Sequence, residues 1–184
     1  MNREEAFNLL KKNLKNKNLI KHSLAVEVAM SGLAKHFNQS QELWSLCGLL
    51  HDIDYEIVEG NANLHSKEGS EMLGGLGFEG DLCDAVLTHN EIHGIAPKDL
   101  MAKSLFCIDP LTGLIVAATL VLPSRKINDL KVESILKRFK EKSFAKGASR
   151  ENIQRCQKYL DLSLEKFVEI VLSSMQKISK DLEL

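Results

Sequence analysis

Apolar residues recur at a spacing of three and four almost without interruption along the chain, and only 3 prolines break the pattern. That period places them on one face of a helix, whereas a strand would need alternation. The expectation is therefore an all-α fold of roughly eight helices with no sheet. A first helix over residues 3–16 aligns Ala6, Leu9, Leu10 and Leu14, and a second over 19–36 aligns His22, Val26, Ala29 and Leu33. Ser40 has the chemistry of an N-cap for a third helix carrying Trp44, Cys47, Gly48 and His51 on one face. Beyond the polar turn at 61–63, a short helix aligns His65, Gly69 and Met72, and another aligns Leu82, Ala85, Val86 and His89. Asp99 caps a helix that brings Leu105 and Asp109 inward, with Pro110 either kinking it or beginning a new one. A basic helix over 129–145 follows, then two more capped by Ser149 and Ser163.

At 184 residues, 44% of them hydrophobic, the chain can bury a core without disulfides or a structural metal. No repeat or linker divides it, so residues 1–184 are expected to form a single-domain helical bundle. Its formal net charge of -1 excludes a whole-molecule field directed at nucleic acid or an anionic membrane. Cys47, Cys83, Cys107 and Cys156 lie far apart, which suits reduced core thiols of a cytoplasmic protein better than a zinc ribbon or a disulfide framework. The longest apolar stretch, 105–122, contains Asp109, Pro110 and Thr112, so it reads as a buried core helix and no membrane partner is expected.

The polar exceptions on those apolar faces need a reason. Burying an imidazole or a carboxylate without a partner is costly, so such groups converge on hydrogen bonds, on one another or on a cation. His22, His51, Asp52, His65, His89 and Asp109 form one converging set, and their donors suit Mn, Fe, Co, Ni or Zn. Taken singly, each histidine reads more simply as a core residue bonded to a carbonyl, the reading kept for His36 and His93.

The runs His22-Ser23-Leu24-Ala25-Val26, Gly48-Leu49-Leu50-His51-Asp52-Ile53-Asp54 and Ile108-Asp109-Pro110-Leu111-Thr112-Gly113-Leu114 resemble the HD-domain superfamily of metal-dependent phosphohydrolases, and its HDIG-type branch most. The likeness spans about residues 19–122, with the helices of 124–184 expected to pack on that core. It implies that His22, His51, Asp52 and Asp109 ligate a divalent transition metal. His65 and His89 stand where two-metal members carry further ligands, which makes two ions the favoured form over one. The resemblance also implies hydrolysis of a phosphomonoester or phosphodiester, of a nucleotide in the favoured case, with Asp52 and Asp109 as the catalytic carboxylates. Asp54 and Tyr55 depart from the better-understood branches, and Glu56 follows two residues after Asp54. Asp54 reads equally as a partner of a ligating histidine or as a solvated carboxylate.

Residues 124–147 hold eight lysines and arginines against three acids, a local charge of +5. Most of these read as a solvated helix face, with Lys137, Arg138 and Lys142 the candidates for binding a small phosphorylated substrate. The alternative to an enzyme is a helical module that senses a metal or nucleotide, or binds RNA or a protein through this segment. Nucleic acid is the less favoured partner, and nothing in the sequence indicates an oligomeric state.

Overall fold

The computed structural model describes residues 1–78 and 80–184. In chain order its helices are α1 (Arg3–Asn13), α2 (Lys17–His36), α3 (Gln41–Leu50), α4 (Lys67–Gly75), α5 (Asp81–His89), α6 (Leu100–Leu120), α7 (Val132–Lys140), α8 (Arg150–Gln154), α9 (Cys156–Leu160), α10 (Leu164–Gln176) and α11 (Ser179–Leu182). No strand occurs among the described residues, as the helical period requires. There are more helices than the expected eight. The segment after Ser149 divides at Arg155, and a short α11 follows α10.

The caps explain most of the boundaries. Ser40, Asp99, Ser149 and Ser163 each accept a backbone N–H of the first turn they precede. Asn16 does the same for α2, so that helix begins at Lys17 rather than at 19. Asn2 and Glu5 form a reciprocal capping box at α1. Pro110 neither starts nor ends a helix, because α6 runs through it without interruption.

Two long helices organise the bundle. α2 packs on α3, α6, α10 and α11, and α6 packs on α2, α5, α8 and α9. α3 lies close against α2, and Gly48 permits it. A Cβ there would lie 2.8 Å from the Val26 carbonyl oxygen and 3.0 Å from the Glu27 Cα, main-chain atoms that cannot rotate away. One apolar core runs from Ala6 and Leu10 through Val26, Leu50 and Ile108 to Phe167 and Leu182. The segment 105–122 lies largely within it, with Leu105, Cys107, Ile108, Leu111, Leu114 and Ile115 fully buried. All four cysteines are free thiols.

One sequence expectation is corrected here. His65 is not on a helix, since α4 starts two residues later, at Lys67. Ser66 takes a left-handed φ of 72° and cannot continue a helical turn, and its N–H is taken by Asp54 instead.

Candidate metal centre

His51 terminates α3 and His89 terminates α5. The last carbonyls of any helix lack intrahelical donors, and each ring uses one of them. His51 Nδ1–H donates to Gly48 O at 2.8 Å and His89 Nδ1–H to Val86 O at 2.6 Å. A carbonyl can only accept, so both Nδ1 atoms carry the proton and both Nε2 atoms face inward.

The other two rings are oriented by side chains. His65 Nδ1 donates to Asp54 at 2.8 Å, and the same carboxylate accepts from Ser66 N and Gly69 N at 2.7 and 2.8 Å. Gly69 leaves room for it, because a Cβ there would lie 3.1 Å from the Asp54 Cγ. Asp54 is fully buried, which decides between its two readings in favour of the histidine partner. His22 Nδ1 lies 3.3 Å from the Thr112 hydroxyl. That hydroxyl spends its own proton on the Asp109 carbonyl at 2.9 Å, so it accepts from His22.

All four rings therefore present Nε2 to one space, and two carboxylates share it. Asp52 lies 3.3 Å from His51, 3.3 Å from His65, 3.5 Å from His89 and 3.5 Å from His22. Asp109 lies 2.9 Å from His22 and 3.7 Å from His51. His22, His51 and Asp52 form one group able to hold a metal ion, and Asp52, His65 and His89 form another, each with its donor atoms within 4.8 Å of one another. Asp52 belongs to both groups. The donors are imidazole nitrogen and carboxylate oxygen, the set that suits the divalent transition metals.

The electrostatics point the same way. Burial opposes a charge on His51, yet Asp52 and Asp109 outweigh it and hold its pKa well above the ordinary value. Burial likewise opposes protonation of His65, and Asp52 and Asp54 push it up to about 9. Burial would raise the Asp52 and Asp109 carboxyls, but the facing histidines hold both well below the usual range. Without an ion the cluster draws protons, and positive charge is what its donors demand.

The floor of the cluster is closed and one side is open. The His51 side chain is fully buried and that of His89 is 3% exposed, whereas His22 and Asp109 are 24% and 31% exposed. A cavity of 350 Å³ opens on that side, lined by His22, Asp109, Pro110 and Gly113 and by the loop Ala145, Lys146, Gly147 and Ala148. A smaller one of 180 Å³ reaches His65, His89 and Asp109 from the side of Asn90 and Asn152.

The basic residues singled out in the sequence are not those of the cavity lining. Lys137 and Lys142 are exposed, and Arg138 pairs with Glu141 at 2.7 Å and stacks on Phe144. The basic helix stops at Lys140, short of the expected 145, and the chain then turns back. The Arg150 guanidinium gathers that turn, donating to the carbonyls of Phe144, Ala145 and Ala148. Lys146 is carried to the cavity as a result. Thr112, Arg150 and Lys146 were not picked out from the sequence. Only Lys146 carried a signal there, as one charge in the +5 segment.

The remaining residues have structural duties. The Glu56 carboxylate binds the backbone N–H groups of Lys15 and Asn16 ahead of α2. Tyr55 sets its ring against His65, with centroids 5.1 Å apart. His93 donates to the His65 carbonyl at 2.8 Å, and His36 packs on Phe37, so neither joins the cluster.

Comparison with curated proteins and with solved structures returned no match. The family model described as the HD domain matches residues 19–161, which extends the likeness past α6 into α8 and α9 and takes in the loop that carries Lys146. With that match over most of its length, and with the His and Asp residues of its motif gathered in one cluster, the chain belongs to the HD-domain superfamily of metal-dependent phosphohydrolases.

Proposed function

We propose that this chain hydrolyses a phosphomonoester or phosphodiester bond, in a nucleotide as the favoured substrate, using two divalent transition ions. His22, His51 and Asp109 would hold one ion, His65 and His89 the other, and Asp52 both. The observation that carries this reading is the common tautomer of the four rings. Each Nδ1–H is committed to its own acceptor, which leaves four Nε2 atoms and two carboxylates facing one another as the groups available to an ion. Without an ion these groups satisfy one another only by drawing protons, as the raised His51 and His65 and the lowered Asp52 and Asp109 pKa values show, and a divalent cation would take the place of those protons. A divalent ion bound by such donors acidifies water and offsets charge on phosphoryl oxygens.

The protein groups divide the remaining work. Asp52 and Asp109 are placed to orient the attacking water, and Asp109, the more exposed of the two, borders the open side. Lys146, across the cavity from His22 and Asp109, supplies positive charge for a phosphoryl oxygen. The buried His51 closes the floor of the cluster, so substrate would approach from the sides on which the two cavities open.

Elemental analysis of natively purified protein should give close to two transition-metal ions per chain. A panel of phosphomonoesters and phosphodiesters should then show turnover that His51→Ala removes while far-UV circular dichroism is preserved. Metal-loaded protein inert toward nucleoside mono-, di- and polyphosphates and toward diesters would overturn the reading.

A further inference from the structure

A further cavity adjoins the metal cluster, and its chemistry is apolar. At 390 Å³ it is larger than the two already described and within the range of pockets that enclose a small molecule. Val116 and Leu120 of α6 line it together with Leu182 and Leu184. Its polar groups are Asn18, which is exposed, and Lys21, whose ammonium pairs with Glu183 at 2.6 Å. Among the described residues that line it, His22 alone belongs to the metal cluster. A wall of four aliphatic side chains keeps the same preference whether or not ions are bound.

Gly113 connects this space to the chemistry. Like His22, it lines both this cavity and the one that Lys146 lines, so the two adjoin. A glycine inside a helix is less stable there than an alanine, yet Gly113 stands within α6 between Thr112 and Leu114, both fully buried. A Cβ on Gly113 would meet no atom within 4 Å, whereas main-chain atoms bar one on Gly48. Packing therefore does not require this glycine. A side chain there would stand in the passage between the two cavities. From Gly113 the residues Val116 and Leu120 follow at helical spacing of three and four, an apolar track about 10 Å long that leads away from the metal cluster. Leu120 lies 50% exposed at its end.

We infer that this cavity is a subsite for an apolar group esterified to the phosphate, reached past Gly113 and enclosed by Val116, Leu120, Leu182 and Leu184. The inference rests on the phosphoester reading above, with the phosphoryl group between the metal cluster and Lys146. Its content is a specificity: hydrocarbon surface on the alcohol side of the ester adds to binding, and a small alcohol lacks that gain. The face of a nucleobase and an alkyl or aryl group share this chemistry, and the choice of ligands separates them.

Phosphonates test binding apart from turnover, because a phosphoesterase does not cleave their C–P bond. Protein loaded with Mn(II) is titrated calorimetrically with methyl-, hexyl- and phenylphosphonate and with the methylenephosphonate analogue of adenosine 5′-monophosphate. Each methylene fully withdrawn from water tightens binding roughly fourfold, so at least one of the three larger ligands should bind about tenfold or more tightly than methylphosphonate. The greatest gain from hexyl identifies an alkyl group, from phenyl an aryl group and from the adenosine analogue a nucleobase, and each supports the subsite. Gly113→Leu, whose added side chain meets open space, should bring the ratio of dissociation constants close to one while methylphosphonate affinity and metal stoichiometry stay unchanged. Leu120→Ser, at a half-exposed position, should lower the ratio roughly threefold. No gain of any larger ligand over methylphosphonate, or a ratio that neither substitution lowers, overturns the proposal. Size-dependent binding that Gly113→Leu abolishes, in a protein without phosphoesterase activity, would uphold the subsite and count against the enzymatic reading alone.

Discussion

The cluster is made of two pairs of histidines oriented by different means. His51 and His89 close their own helices, and each donates to the carbonyl three residues back, so their direction is set within a single turn of chain. His22 and His65 depend on partners elsewhere, Thr112 lying 90 residues from His22 and Asp54 lying 11 from His65. The first pair is a consequence of helix termination. The second exists only once the bundle has assembled, so it can be disturbed without touching a candidate ligand.

The largest effect belongs to the residue common to both halves. Asp52 faces all four rings. Asp52→Asn removes the charge shared by the two groups and should lower hydrolysis by about three orders of magnitude or more, with less than one metal ion retained per chain. Retention of both ions would sink the idea of a shared carboxylate. Asp54→Ala should act on one half only. It strands the His65 Nδ1–H and the N–H groups of Ser66 and Gly69, and loss of such an outer partner weakens metal binding by roughly 10- to 100-fold. Metal titration should then resolve one tight and one weakened equivalent, and uniform weakening would break the distinction.

The same division marks what could be read in advance. His22, His51, His89 and Asp109 were legible because each sits on or at the end of a helix whose apolar stripe reveals its register, Asp52 because it follows His51 in the motif, and the helical fold was legible from the same stripes. His65 was found for its type but placed on the wrong element, since the left-handed Ser66 answers to the Asp54 carboxylate rather than to local pattern. Thr112 was invisible because a threonine among apolar residues signals nothing until His22 is packed beside it. The basic segment misled for a related reason. Charge density shows that cations are present, while the carbonyls gathered by Arg150 decide which of them, Lys146, reaches the cavity.

Acidity offers a smaller test. His65 in the metal-free protein has its pKa pushed up to about 9, against burial, by Asp52 and Asp54. A histidine with a folded pKa above its unfolded value of about 6.5 lends stability that is complete below that pH and is lost as pH rises through the folded value. Melting followed in chelator should therefore show Tm falling by roughly 3–6 °C between pH 6.5 and 9. Metal affinity should rise over the same interval, since the ion displaces those protons. A flat metal-free profile would contradict the proton-drawing character of the cluster.

The finest discrimination comes from Thr112→Val, which keeps the shape and removes the acceptor. His22 loses the partner of its Nδ1–H, but this ring is 24% exposed, and water can replace a lost partner at such a site. The cost should be about 1 kcal/mol, roughly a fivefold loss of affinity for one ion with stoichiometry preserved. Asp54 has no such relief, because it and the N–H groups it holds are sealed from solvent. The two substitutions should thus differ by several-fold in the same titration, and an equal effect would mean that burial does not set how firmly each ring is held.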